Sequence, residues 1–302
     1  MAALSGYRLG IALRILSATS FSVMGALFKL ATDRGASAPE LLFYRALVAI
    51  PVLLIWVLLG PGLSALGTKR PMTHAGRAVL GNVAILCTFQ ALTLLPLAEI
   101  TTIGFMAPVF ATILSFLILH EQVGRHRWFA VICGFAGVAI ITQPGHAHQA
   151  LPLAGLVFAL LGALGAAGVT IAVRQMRGEN VAAVVFWFMA LAFVTSGLSL
   201  PFFGKWHDGP TLMLLLSGGA AGIVAQIGMT SSLRHAPVSV LMPFDYLQLL
   251  GAIAFGWLLM SEVPGWATLA GGGLIASSGL YTVWREYRLS REKNVPPAQS
   301  LG

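Results

Sequence analysis

Long apolar stretches, each broken by a short polar or turn-forming gap, run through nearly the whole chain. Ten such segments can be marked, at 9–31, 39–60, 75–95, 97–119, 127–143, 151–173, 181–202, 211–233, 237–259 and 265–285. Each approaches the roughly 20 residues that a helix needs to cross a hydrocarbon core about 30 Å thick. The gaps carry turn chemistry: Pro61-Gly62, Pro71, Pro144-Gly145, Gly209-Pro210 and Pro264-Gly265. Pro96, Pro152 and Pro237 fall where a first helical turn tolerates a missing amide. Backbone groups inside a bilayer must be satisfied internally, so the segments are predicted to be helices. The short alternating strands of a membrane barrel do not occur in the pattern.

The pattern also repeats. Pro96 is followed after 25 residues by Glu121, and Pro237 after 25 residues by Glu262. The intervening stretches share length and apolar texture, and each leads through a glycine (Gly124, Gly265) into another apolar segment. This predicts two five-helix units, 1–145 and 146–287, followed by a polar tail, 288–302, expected to be disordered and cytoplasmic. An odd number of crossings per unit would insert the second copy from the opposite face, so the repeats are expected to be inverted.

Composition sharpens the class. Of 302 residues, 57% are hydrophobic and 9% charged, against about 25% charged in soluble domains. The formal charge of +8 suggests an anionic partner until its distribution is read. On alternate gaps, one side receives Arg8, Lys69, Arg70, Arg77, Arg125, Arg127, Arg174, Arg177, Arg234, Arg285, Arg288, Arg291 and Lys293. The other receives only Arg34 and Lys205. The asymmetry predicts that both termini are cytoplasmic and accounts for the excess without nucleic acid. The first apolar run is too long for a signal-peptide core and reads as a retained helix. Cys87 and Cys133 lie in apolar runs and read as buried thiols.

Charges within the spans are the candidate chemistry, because each costs on the order of a few kcal/mol in a bilayer. Asp245 lies roughly 12 Å into the ninth span at about 1.5 Å per residue. It follows Pro243, which should loosen the helix there, and it is followed by Tyr246 and Gln248. Asp245 reads either as a substrate counter-ion or proton-binding site, or as a structural ion pair or hydrogen-bonded kink. Arg45 stands beside Tyr44 and a turn beyond Glu40; it could bind substrate or snorkel to the outer face. Arg14 and Lys29 project within about 60° of one another near opposite ends of the first span, where Lys29 is expected to snorkel. Asn82 and Gln90 in the third span, with Gln226 and Thr230 in the eighth, either line a cavity or join helices.

Other features have structural readings. Gly162, Gly165 and Gly168, and Gly218, Gly219 and Gly222, predict close helix packing. Glu121 and Glu262 terminate matching helices and read as anchors or gates. His146 and His148 lack the acidic company of a metal site. Trp56, Trp128, Trp206, Trp257, Trp266 and Trp284 fall near span ends, as interfacial anchors do. HExxH, GxSxG and Walker patterns are missing from the chain, so ATP-driven transport has no local support and an enzyme reading has little.

Over nearly its whole length the chain resembles the EamA-type carriers of the drug/metabolite transporter superfamily. The resemblance rests on LLFYRALVA around Arg45, the block from Pro108 to Glu121, and RWFAVICGFAGVAIITQPG closing the first half. APVSVLMPFDY and GGGLIASSGLYTVWRE continue it in the second half. It points toward the branch that includes S-adenosylmethionine uptake carriers. The Pro243–Tyr246 run departs from the family pattern.

The resemblance implies an all-α membrane protein of ten helices in two inverted repeats around a central cavity. It also implies secondary transport of a small metabolite in a cell inner membrane, without a cofactor or metal, as a monomer or homodimer among lipids. On that reading, Arg14 and Arg45 meet an anionic group, and Asp245 meets an amine or carries a coupling proton. Tyr44, Phe105 and Tyr246 pack the substrate body, with Asn82, Gln90, Gln226 and Gln248 as polar lining. The alternatives are a multidrug or amine exporter of the same fold, a polytopic membrane enzyme, and a non-transporting scaffold.

Overall fold

The computed structural model describes residues 2–60, 62–68, 70–120, 123–142, 151–175, 180–233, 235–236 and 238–293. Helices dominate, and no strand occurs among the described residues. In chain order they are α1 (Ala2–Asp33), α2 (Ala38–Leu59), α3 (Pro71–Leu94), α4 (Leu97–Gly104), α5 (Ala107–Leu119), α6 (Arg125–Thr142), α7 (Leu153–Gln175), α8 (Val181–Phe203), α9 (Gly209–Ser232), α10 (Val238–Leu241), α11 (Leu247–Met260) and α12 (Trp266–Lys293). A 3-10 turn, Met242–Tyr246, joins α10 to α11.

Eight spans among these helices are long and apolar enough to cross a membrane, and at most 39% of each apolar window is buried within the protein. The remaining apolar side chains face outward, as lipid contact requires, which makes this a multi-pass membrane protein. The backbone of α12 stays helical to Lys293, so the first residues assigned to the polar tail continue the last helix.

Two of the segments marked as single spans are broken, the second where Pro243 was expected to loosen the helix. The stretch 97–119 divides at Phe105 and Met106, where Pro108 sits in the first turn of α5. A proline there has no amide to give and its ring crowds the carbonyl four residues back, so α4 cannot run on. Pro243 has the same effect in 237–259, converting one turn to 3-10 geometry. The offset that carries Pro96 to Pro237 also carries Phe105 to Tyr246 and His120 to Ser261. His120 and Ser261 both end their helices in the left-handed region, with φ of 51° and 56°. Their cap amides return to Ser115 and Gly256, which the same offset again relates. The sequence repeat is thus reproduced in backbone conformation.

The principal packing joins one half to the other. Helix α1 lies on α9 and α7 lies on α3; α2 packs on α8 and α6 on α12. Glycines make these approaches possible. Side chains at Gly218 and Gly222 would collide with Phe28 and Met24 of α1, and at Gly162 and Gly165 with Thr88 and Ala84 of α3. The largest core cluster centres on Phe28, Leu41, Leu42, Leu95 and Ile103, with Phe28 edge-on to Phe89.

Candidate functional site

Helix α1 carries the polar residues that face the broken helix of the second half. Ser17 donates to the Ala225 carbonyl of α9 at 2.8 Å, and Ser22 to the Gln248 carbonyl of α11 at 3.1 Å. These bonds fix the rotation of α1 and bring Arg14 to the 3-10 turn. There the guanidinium grips Asp245 through two parallel bonds, Nε to Oδ1 and Nη2 to Oδ2, each 2.5 Å. A planar fork matches a carboxylate in this geometry, and the charge assistance makes it strong. Arg14 is 6% exposed and its Nη1 has no partner, whereas the Asp245 side chain keeps 30% of its surface open.

Next to this pair, Tyr246 stacks on Phe105, ring centroids 4.7 Å apart. The two residues occupy the two helix breaks, so both discontinuities meet at one aromatic contact.

Arg45 of α2 lies elsewhere and in a different state. It is 4% exposed and does not snorkel; Gly222 gives it room against α9. Its Nη2 reaches Gln226 Oε1 at 3.4 Å, its Nε is unpartnered, and no carboxylate among the described residues pairs with it. An arginine remains charged in such a place. Asn82 of α3 is also buried, with neither amide atom bonded. Tyr44 stands edge-on to Phe43, which stacks on Phe193 of α8.

The remaining sequence candidates are more local. Gln90 donates to Thr93 within α3, and Thr230 turns back on the Gln226 carbonyl. Gln248 contributes its carbonyl to Ser22. Lys29 is buried instead of snorkelling, because the Leu92 carbonyl (3.4 Å) and Asp33 (3.3 Å) supply partners within reach. Arg14 and Lys29 therefore serve different neighbours. Glu121, His146 and His148 lie outside the described residues. No cluster of three metal-ligating side chains occurs among the described residues.

Two buried carboxylates escaped the sequence reading. Glu40, 2% exposed, accepts from Ser37, from the Lys205 amide at 2.9 Å and lies 2.7 Å from His207 Nε2. It ties the start of α2 to the connection between α8 and α9. The Ser37-x-x-Glu40 spacing at a helix start was the available signal. Glu99, in the first turn of α4, is 7% exposed; Thr268 donates to its Oε1 at 2.9 Å, and its Oε2 has no partner. Only its position, an acid just inside an apolar span, marked it in the sequence.

Comparison with known proteins gives this geometry a context. The model of a family described as the EamA-like transporter family matches twice, at residues 8–143 and 153–284. A pseudopaline exporter of Pseudomonas aeruginosa is 31% identical over 88% of this chain and 93% of its own length. An S-adenosylmethionine uptake transporter of Rickettsia bellii is 27% identical over 96% and 99% of the two chains. A riboflavin transporter of Rhizobium johnstonii is 29% identical over 76% of each. A solved crystal structure, 19% identical, aligns with a TM-score of 0.64 over 91% of this chain and 98% of its own, a likeness of fold.

Proposed function

The chain belongs to the EamA-like transporter family, and from that membership we propose that it is a secondary transporter for a small polar metabolite bearing an anionic group. One observation carries the substrate class: the Arg45 guanidinium is buried with no counter-charge among the described residues. An unpaired charge at membrane depth costs on the order of a few kcal/mol. A carboxylate or similar group on the substrate would remove that cost on binding, which makes the site selective for anions and zwitterions.

Arg14 and Asp245 have a different role in this reading. Their fork already neutralises both charges, so neither is free to receive substrate until the pair opens. A zwitterion supplies competitors for both partners, its anionic group for Arg14 and its amine for Asp245. Substrate binding then exchanges one set of ion pairs for another and releases the turn that joins α10 to α11. The stack of Phe105 on Tyr246 would transmit that release to the break between α4 and α5.

Ten crossings, two inverted five-helix repeats and cytoplasmic termini complete the proposal. The twofold family match, the shared caps at His120 and Ser261 and the charge asymmetry of the gaps support it. Such repeats exchange conformations and expose one pocket alternately to each side. The relatives are named for export and for uptake alike, so direction does not pass to this chain by likeness.

Purified protein screened by thermal shift against amino acids, nucleosides, flavins and lipophilic cations tests the class, because a ligand bound by the folded form raises apparent stability. Anionic or zwitterionic hits are expected. Arg45→Gln should weaken their binding about tenfold, or by about 1.4 kcal/mol, without altering the elution profile. Stabilisation by lipophilic cations alone, or unchanged affinity in that variant, would refute the reading, and flux of the hits into proteoliposomes tests transport itself.

A further inference from the structure

Polar side chains on the inner helices mostly bond within the bundle. Ser17 and Ser22 of α1 donate to carbonyls of α9 and α11, Gln90 of α3 to Thr93, and Thr102 of α4 to the Ala98 carbonyl. Asn82, near the midpoint of α3 and 4% exposed, departs from this habit. Both polar atoms of its side chain, Nδ2 and Oδ1, are buried and unbonded. A carboxamide carries two donors and an acceptor with two lone pairs. Burying it without partners is costly, so such a group calls for a reason. Joining helices is not the reason, because that role consists of the bonds that Asn82 lacks.

The place of Asn82 supplies one. Ala78 lies one turn before it and Ile85 three residues after it, so the three share a face of α3. That face packs in one apolar cluster with Ala49 and Leu53 of α2 and Ile223 of α9. Ala49 is one turn from Arg45 on α2, and Ile223 is three residues from Gln226 on α9. Arg45, Gln226 and Asn82 therefore stand on the faces by which α2, α9 and α3 meet. Arg45 brings a buried cation whose Nε is unbonded. Asn82 brings a donor and an acceptor in one plane. A single solute that meets both carries an anionic group and, beside it, the complementary acceptor and donor of an amide, a lactam or a nucleobase edge.

We propose that Asn82 sets the specificity of the Arg45 site, by reading a planar amide-like edge on the solute whose anionic group Arg45 holds. Nδ2 donates to a carbonyl or ring nitrogen of that edge, and Oδ1 accepts from its N–H. A solute of the same size without the edge leaves both atoms buried and unbonded, whereas a matching one satisfies them together. Such a site discriminates through the polar groups that a wrong solute leaves unpaired. The inference rests on the reading of Arg45 as an anion-binding residue and narrows it to anions that carry this edge.

Thermal shift of the intact protein in detergent tests it, with carboxylates paired in size and differing in the edge: glutamine against methionine, asparagine against leucine, and orotate against benzoate. In at least one pair the first member should bind about tenfold more tightly than the second. Asn82→Leu, which keeps the shape and removes both polar atoms, should abolish that preference; Asn82→Ala serves if it fails to fold. Without ligand, Asn82→Leu should also melt above the wild type, because an apolar group relieves the cost of the unbonded amide. Pairs bound alike throughout, or a preference that both variants keep, overturn the proposal and leave the reading of Arg45 standing. A melting temperature lowered in both variants would make Asn82 a joint between helices and overturn it too. If no carboxylate raises the melting temperature, or Arg45→Gln leaves every shift unchanged, the reading of Arg45 fails and this inference fails with it.

Discussion

Phe105 and Tyr246 lie face to face, their ring planes 26° apart, and each occupies the break in its own helix. The offset between the sequence repeats relates them, so the contact joins a residue to its counterpart. Stacked aromatic pairs contribute about 1 kcal/mol beyond the area they bury. A double-mutant cycle with Phe105→Leu and Tyr246→Leu should return a coupling of that size in thermal unfolding. Additive losses would show that the rings merely touch.

Gly279 of α12 gives the same pair a second test. A methyl group there would meet the Tyr246 hydroxyl oxygen. Gly279→Ala should destabilise by about 1 kcal/mol through overpacking, and Tyr246→Phe in the same chain should restore most of the loss. Equal melting temperatures for Gly279→Ala with and without Tyr246→Phe would contradict this.

For Arg14 and Asp245, removing one partner leaves a buried charge unpaired, at about 3 kcal/mol for an enclosed pair. The partial exposure of Asp245 lowers that for Arg14→Met, which leaves the carboxylate able to hydrate. Asp245→Ala should cost more, because Arg14 is the deeper partner. The double variant Arg14→Met/Asp245→Ala should be more stable than Asp245→Ala alone, as measured by unfolding in detergent.

The glycines of α7 and α12 should respond differently to one substitution. Gly165 faces Ala84 across the contact with α3, whereas a side chain at Gly273 meets nothing within 4 Å. Gly165→Ala should lose about 1–3 kcal/mol, or fail to assemble. Gly273→Ala should gain up to about 1 kcal/mol from helix propensity. Comparable losses at both positions would mean that α12 is covered on that side.

Two acids outside the spans predict opposite pH slopes. Burial holds the Glu262 carboxyl above its usual range, against the opposing Leu97 amide and Lys29. Its stabilisation is therefore complete below about pH 4.3, the ordinary glutamate value, and is lost as pH rises through the higher folded value. The Asp208 carboxyl is lowered, chiefly by its hydrogen bonds from Thr211 at the start of α9. That contribution is complete above about pH 3.9 and is lost as pH falls through the lower folded value. Melting temperature against pH should decline less on the alkaline side in Glu262→Gln, and less on the acid side in Asp208→Asn. An unchanged curve in either variant removes that residue from the account.

The contrast between Arg45 and Arg14 shows where sequence reasoning stops. Both stood out for one reason, a cation within an apolar run, and nothing in the sequence distinguished them. Folding gave Arg14 a carboxylate more than two hundred residues away and left Arg45 with one amide oxygen at 3.4 Å. Lys29 was expected to extend toward the surface, but the end of α3 supplied a carbonyl that the linear chain places far off. Glu99 attracted no notice, since an acid at the start of an apolar helix usually faces water, and only the packing of α12 encloses it.

Helical class, membrane location, the repeat and the helix break at Pro243 follow from the order of residues alone, because they depend on hydropathy and on local backbone chemistry. The burial of individual charges does not, since it depends on which helices meet. Alternating halves pack on one another instead of on themselves, so the environment of each ionisable group is set by a partner from the other half of the chain. That is a property of the assembled bundle, and only the tertiary structure decides it.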